Sequence, residues 1–264
     1  MSDILSNSFK KEGKKLVTFI TGGDPNFETS NQILKIIINN NIDIVEIGMP
    51  FSDPMADGPT IQLSSNRALQ NGINLNDIFR LASNAKILKG DIPVILMGYY
   101  NVILHYGIKD FVKQCVVNRV DGLIVVDLQP EEDDELIIEL NKNKIDLIRL
   151  ITPTTDKERL KLILKNASGF LYYVSVMGTT GQKSAKIEDL ERSVNFIKNY
   201  TKLPVIPGFG IKNAKDVNNI CKIADGAVVG SSIIKIIEEN LKDRDLMIKE
   251  VGNFIKELKQ GTLI

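Results

Sequence analysis

Ile44-Val45-Glu46-Ile47-Gly48 is a short run of apolar, mostly β-branched residues with one carboxylate in its middle. β-branched side chains favour a pleated strand. A run that is apolar at consecutive positions predicts a strand covered on both faces, as parallel strands are under a layer of helices. The same texture recurs outward from this run. Leu16-Val17-Thr18-Phe19-Ile20 precedes it, and Pro93-Val94-Ile95-Leu96-Met97 and Gly122-Leu123-Ile124-Val125-Val126 follow. Leu147-Ile148-Arg149-Leu150-Ile151, Phe170-Leu171-Tyr172-Tyr173-Val174, Pro204-Val205-Ile206 and Gly226-Ala227-Val228-Val229 complete a set of eight.

Longer stretches with helical spacing separate the runs. In residues 29–39, Ile33, Leu34, Ile36 and Ile37 share one side. Pro130-Glu131-Glu132, Asp156-Lys157-Glu158-Arg159 and Asp189-Leu190-Glu191 read as helix starts, with proline or carboxylates in a first turn. Eight βα units in 264 residues predict an α/β fold, a closed (β/α)8 TIM barrel, with an open doubly wound sheet as the rival. No linker-like stretch divides the chain, so one domain over 1–264 is expected. Two additions are expected: a short helix over 2–11, and an extra helix over Pro59–Gln70 after the second strand.

Composition narrows the function. Lys+Arg and Asp+Glu are 33 each, and clusters such as Lys10-Lys11-Glu12-Gly13-Lys14-Lys15 are short and interrupted. That balance argues against a nucleic-acid binder working through bulk charge. No apolar run approaches the ~18 residues of a membrane span, and no signal core follows the first charges. Cys115 and Cys221 stand far apart without a CxxC partner, which reads as structural thiols in a reducing compartment. A cytoplasmic location is expected, or a plastid stroma for a plastid-encoded chain. His105 is the only histidine, so histidine cages are excluded and no metal site is expected.

In such barrels chemistry sits at the C-terminal ends of the strands. Glu46 stands in an otherwise apolar strand, where an unpaired carboxylate is costly and has its pKa raised. It reads as a general acid/base, with a salt-bridged strand-end carboxylate as the bland reading. Asp57 follows within Met49-Pro50-Phe51-Ser52-Asp53-Pro54-Met55-Ala56-Asp57-Gly58-Pro59, either as a helix cap or as the second member of an acid/base pair. Glycines mark three successive junctions: Gly178-Thr179-Thr180-Gly181, Gly208-Phe209-Gly210 and Gly230-Ser231-Ser232. The last two, with a helix N-terminus, fit a phosphate cradle of backbone amides, hydroxyl and helix dipole. A Schiff-base lysine is missing from the strand ends, and Asp24 has no partner aspartate after strand five, where Ile151-Thr152-Pro153 stands. Asp127 reads as structural, orienting the loop after strand four.

The run from Glu46 to Gln62 resembles the signature of the tryptophan synthase α-subunit family almost letter for letter. Gly23-Asp24-Pro25, Met97-Gly98-Tyr99-Tyr100-Asn101, Tyr172-Tyr173-Val174-Ser175, Gly178-Thr179-Thr180-Gly181 and Gly208-Phe209-Gly210-Ile211 are similar to it too, at matching spacing over nearly the whole chain. The resemblance implies a barrel that cleaves indole-3-glycerol phosphate to indole and glyceraldehyde 3-phosphate. It implies an α2β2 heterotetramer with a β chain that carries pyridoxal phosphate, and no cofactor in this chain. It makes Glu46 the acid/base between the glycerol hydroxyl and indole C3, Asp57 the stabiliser of charge at the indole N–H, and Tyr172 a neighbour of Glu46. Phe19, Met97, Tyr99, Ile124 and Val126 would line the indole pocket. Gly181, Gly210, Gly230 and Ser231 would hold the phosphate, Phe209 would contact the substrate, and Thr180 would close over the site toward Asp57.

Two departures stand out. Many members of that family read Asp-Leu-Pro-Pro after strand four, where this chain has Asp127-Leu128-Gln129-Pro130; the resemblance implies that this loop faces the partner. Some carry an arginine after strand six, where Val176-Met177 stand here. Three alternatives remain at this level: a non-catalytic regulatory barrel, another phosphate-binding barrel, and a stand-alone lyase releasing free indole. A carboxylate inside strand two argues against the first.

Overall fold

The computed structural model describes residues 2–174, 183–208 and 210–263, without the side chains of 183–186. Its nine parallel strands form one sheet in the order β5-β4-β3-β2-β1-β9-β8-β7-β6. They are β1 (Lys15–Thr21), β2 (Ile44–Gly48), β3 (Val94–Gly98), β4 (Gly122–Val125), β5 (Asp146–Leu147), β6 (Arg149–Ile151), β7 (Leu171–Val174), β8 (Val205–Gly208) and β9 (Gly226–Val229). The expected fifth strand is interrupted at Ile148. β5 pairs with β4 and β6 pairs with β7, so this one stretch supplies both ends of the sheet order. Ile148 N still donates to Leu123 O at 2.9 Å, across the seam. The open-sheet rival is thereby excluded.

Among the described residues twelve helices follow one another: α1 (Asp3–Lys10), α2 (Phe27–Asn39), α3 (Pro59–Gln70), α4 (Leu75–Leu88), α5 (Tyr100–Tyr106), α6 (Ile108–Val117), α7 (Asp134–Asn143), α8 (Lys157–Lys165), α9 (Lys183–Lys198), α10 (Ala214–Cys221), α11 (Ser231–Glu239) and α12 (Arg244–Gln260). The two expected additions are α1 and α3. α5 adds a short helix after β3 that strand-run reading does not reveal. Two expected helix starts are displaced. α7 begins at Asp134, with Pro130 to Glu132 in the preceding turn, and Asp189 lies inside α9 with Arg192 as its ion-pair partner. Carboxylate clusters mark solvated turns and helix faces as readily as first turns, which explains both displacements. Asp156 does cap α8, its side chain accepting from Arg159 N.

Alternation along each strand divides the core in two. Val17, Ile44, Ile95, Ile124, Ile148, Phe170, Ile206 and Val228 form the inner cluster. Val45, Ile47, Leu96, Leu123, Leu171 and Val229 join the cluster between sheet and helices. Leu5 of α1 belongs to the inner cluster and Phe9 packs against it, so α1 closes one end of the barrel. Ser2 fastens α1 there through Asp121 Oδ1 and Asp146 Oδ2, each at 3.0 Å.

Candidate active site

Side chains two positions apart on a strand face the same way. Ile44 is in the inner cluster while Val45 and Ile47 lie outside it, so Glu46 points into the barrel. It has no exposed surface, and neither carboxylate oxygen has a hydrogen-bond partner. No ion pair reaches it among the described residues, which removes the salt-bridge reading. Burial pushes its pKa up to about 8. In register it stands between Phe19 of β1 and Ile95 of β3.

Asp57 lies beyond the C-terminal end of β2, before α3. Gly58, not Asp57, occupies the N-cap of α3 and Pro59 starts the helix, so the capping reading fails. The carboxylate instead accepts a hydrogen bond from Tyr99 Oη at 3.0 Å. That same hydroxyl accepts from Ala56 N at 3.0 Å, and Phe51 stacks obliquely against the ring at 5.2 Å. Burial raises the Asp57 pKa, and the Tyr99 hydrogen bond partly offsets this. Tyr172, inward-facing on β7, is held from ionising first by burial and then by the nearby charges of Glu46 and Asp57. Its hydroxyl occupies the space where a side chain on Gly208 would begin, 2.7 Å from that Cβ position.

A cavity of about 650 Å³ opens at this end of the barrel. Phe19, Met97, Val126, Asp57 and Tyr172 line it, as do Gly208, Gly210, Gly230 and Ser231. Gly210 has φ of +53°, a conformation that favours glycine. α11 starts at Ser231, so its unpaired N–H groups and positive dipole end face the cavity, and Gly230 approaches Phe19 so closely that a Cβ there would lie 3.1 Å from that ring. Ser232 Oγ is engaged with Ile211 O at 2.5 Å, which leaves Ser231 as the hydroxyl on the wall.

Three expected positions fall differently. Ile124 is fully buried in the inner cluster and is not on the wall. Tyr99 lines a small adjoining cavity with Phe19, Met97, Asp57 and Val126, and acts on Asp57 through its hydroxyl. Glu46 is covered and does not line the cavity. Thr180, Gly181 and Phe209 lie outside the described residues. Asp127 is structural, but its partner is Tyr100 N at the start of α5, on the preceding βα unit. Residues that the strand-end reading passed over also line the wall: Leu128, Gln129 and Pro130 after β4, and Arg149, Thr152 and Arg159 around β6. The polar run Thr152-Pro153-Thr154-Thr155, directly after a strand, was the signal for that side. No group of three or more His, Cys, Asp or Glu among the described residues could hold a metal ion.

A family model described as "Tryptophan synthase alpha chain" matches residues 5–263. Curated relatives described by the same words include those of Petrotoga mobilis, 43% identical over 94% of this chain and 96% of its own, and Novosphingobium aromaticivorans, 44% identical over 94% and 93%. Among solved structures, tryptophan synthase subunit alpha from Legionella pneumophila is similar with a TM-score of 0.90 and 34% identity, covering 99% of this chain and 98% of its own. A chain of M. tuberculosis tryptophan synthase in its aminoacrylate-bound form has a TM-score of 0.88 and 25% identity, covering 98% and 99%.

Proposed function

The chain belongs to the tryptophan synthase alpha chain family, and from that premise we propose how its residues cleave indole-3-glycerol phosphate to indole and glyceraldehyde 3-phosphate. The activity is that of a carbon–carbon lyase subunit in tryptophan biosynthesis. It pairs with a β chain, which carries the pyridoxal phosphate. We read residues 1–264 as one domain, supported by a family match from 5 to 263 and a single sheet.

Cleavage makes two demands. Indole C3 must gain a proton to become a leaving group, and the adjacent glycerol hydroxyl must lose one to become the aldehyde. Glu46 is the group we assign to both transfers. A carboxyl with a pKa of about 8 is mostly protonated at neutral pH and can give its proton to C3. The resulting carboxylate takes the hydroxyl proton as the carbon–carbon bond breaks. Since the carboxyl has no exposed surface in this structure, a rotation of its side chain brings it to the substrate. Transfer by a positioned group contributes roughly 10²–10⁴-fold.

Asp57 answers the charge that grows on the indole ring when C3 is protonated, by accepting from the indole N–H. Tyr99, donating to the same carboxylate, keeps it oriented. Phe19, Met97 and Val126 supply the apolar wall for the ring, and Gly210, Gly230, Ser231 and the start of α11 suit the phosphate. Tyr172, beside both carboxylates, stays neutral and fills the space between β7 and β8.

The observation that carries this reading is Glu46: a buried carboxyl without a partner, facing into the barrel at the end where the cavity opens. The test is indole release by wild type and Glu46→Gln, each with and without a β chain. Slow release alone, activation by the β chain and loss in the variant are expected. A Glu46→Gln protein that cleaves at the wild-type rate would remove Glu46 from the mechanism.

A further inference from the structure

The loop between β4 and α7 is fastened by groups outside it at nearly every turn of the chain. Tyr100 N donates to Asp127 Oδ1 at 2.7 Å. Arg149 Nη1 donates to Leu128 O at 3.1 Å, and the same guanidinium pairs with Asp133, which also accepts from Asn166 Nδ2 at 3.0 Å. Arg159, on α8, reaches across with one nitrogen to Gln129 Oε1 and with another to Glu131. This loop supplies Val126, Leu128, Gln129 and Pro130 to the cavity wall, and Arg159 itself stands on that wall.

A binding wall built from irregular backbone would have to be ordered when substrate binds, and that ordering costs affinity. Here side chains of the neighbouring βα unit order it beforehand. The planar guanidinium fork suits two acceptors at once, which the single ammonium of lysine does not reproduce. Arg159 is part-exposed, about a third of its side chain, whereas Arg149 is buried. Removing Arg159 therefore leaves the buried framework intact and isolates its effect on the loop.

We propose that Arg159 is a positioning residue for indole-3-glycerol phosphate: by clasping Gln129 and Glu131 it holds the β4–α7 loop in the shape that completes the cavity wall. Its hydrogen-bond partners are Gln129, Glu131 and Asp156, not Glu46 or Asp57, so it acts on binding and not on proton transfer. This inference rests on the function proposed above.

The experiment uses the full-length chain with a saturating β chain. Arg159→Ala, Arg159→Lys, Gln129→Ala and the Arg159→Ala/Gln129→Ala double variant are compared with wild type. Arg159→Ala raises KM about fivefold, the upper range for a part-exposed ionic contact, and leaves kcat within about twofold. Arg159→Lys recovers only part of the loss, and the double variant is little worse than Arg159→Ala, as two members of one contact require. Amide hydrogen exchange of the substrate-free chain rises in residues 127–132 and not elsewhere, with Tm unchanged. Unchanged exchange, or raised exchange with an unchanged KM, overturns the proposal. A fall in kcat equal to the rise in KM overturns it too, by assigning Arg159 to the chemistry. A wild type that releases no indole defeats the underlying function instead, and the exchange measurement still decides whether Arg159 holds the loop.

Discussion

At the scale of single residues, Glu46 sets stability against its proposed role in catalysis. Its pKa is raised from the ordinary carboxylate value to about 8 by burial. The unfolded chain ionises it near 4.5 while the folded chain keeps it protonated until about pH 8. The penalty is absent at pH 4, grows between those two values, and is complete above the upper one. Glu46→Gln removes it. The variant is therefore expected to unfold at a higher temperature than wild type at pH 8.5, to match it at pH 4, and to lose cleavage by about 10²-fold or more. Paired melting curves at the two pH values check this, and an equal Tm at pH 8.5 would count against a neutral buried Glu46. Tyr99 is the second case. Its hydrogen bond lowers an Asp57 pKa that burial raises. Tyr99→Phe removes that donor, so the Asp57 pKa climbs further and the acid limb of the kcat/KM profile moves to higher pH. An unmoved acid limb would separate Tyr99 from Asp57.

At the scale of elements, β6 and α7 are joined by the buried Arg149–Asp133 pair. Burial pulls Arg149 down to about 10, so charge is kept there at a cost. Breaking such a pair from one side strands the other charge and costs about 3–5 kcal/mol, whereas replacing both partners with apolar groups is often near neutral. Arg149→Met should lower the urea midpoint strongly, and adding Asp133→Leu should restore much of it. An additive double variant would mean that the pair is not the source of the loss. At the other end of the site, α3 begins at Pro59 beside Asp57 and α11 begins at Ser231 beside Gly230. Arg67 of α3 binds Asp24 through two nitrogens at 2.8 Å and lies 3.8 Å from Glu238 of α11. These helices thus share one charged link behind the cavity.

At the scale of the whole molecule, the barrel separates stability from chemistry by its two ends. α1 closes one end with Leu5, which has no exposed surface. The cavity, with Asp57, Gly208, Gly210 and Gly230 on its wall, lies at the other. Leu5→Ala should cost about 2–5 kcal/mol of stability, the range for emptying a core site. Its kcat below the melting transition should equal that of wild type. A fall in kcat at full folding would mean that the inner cluster transmits strain to the site, against this division of labour.

The sequence by itself determined the strand runs, the carboxylate inside β2 and the glycines after β8 and β9. Each is written in residue type: consecutive β-branched residues demand burial on both faces, and an acid among them needs a reason to be there. The two added helices were equally legible, since apolar spacing and Pro59 mark them directly. Only tertiary structure decided the rest. It divided the fifth run at Ile148 and assigned its halves to opposite neighbours, because pairing depends on strands far away in the chain. It removed Asp57 from the cap of α3 and joined it to Tyr99, buried Ile124 behind the wall, and brought Arg149 and Arg159 to the loop after β4. Those contacts link residues 21 to 42 positions apart. No local pattern encodes them, because each depends on which face of one element meets which face of another once the barrel has closed.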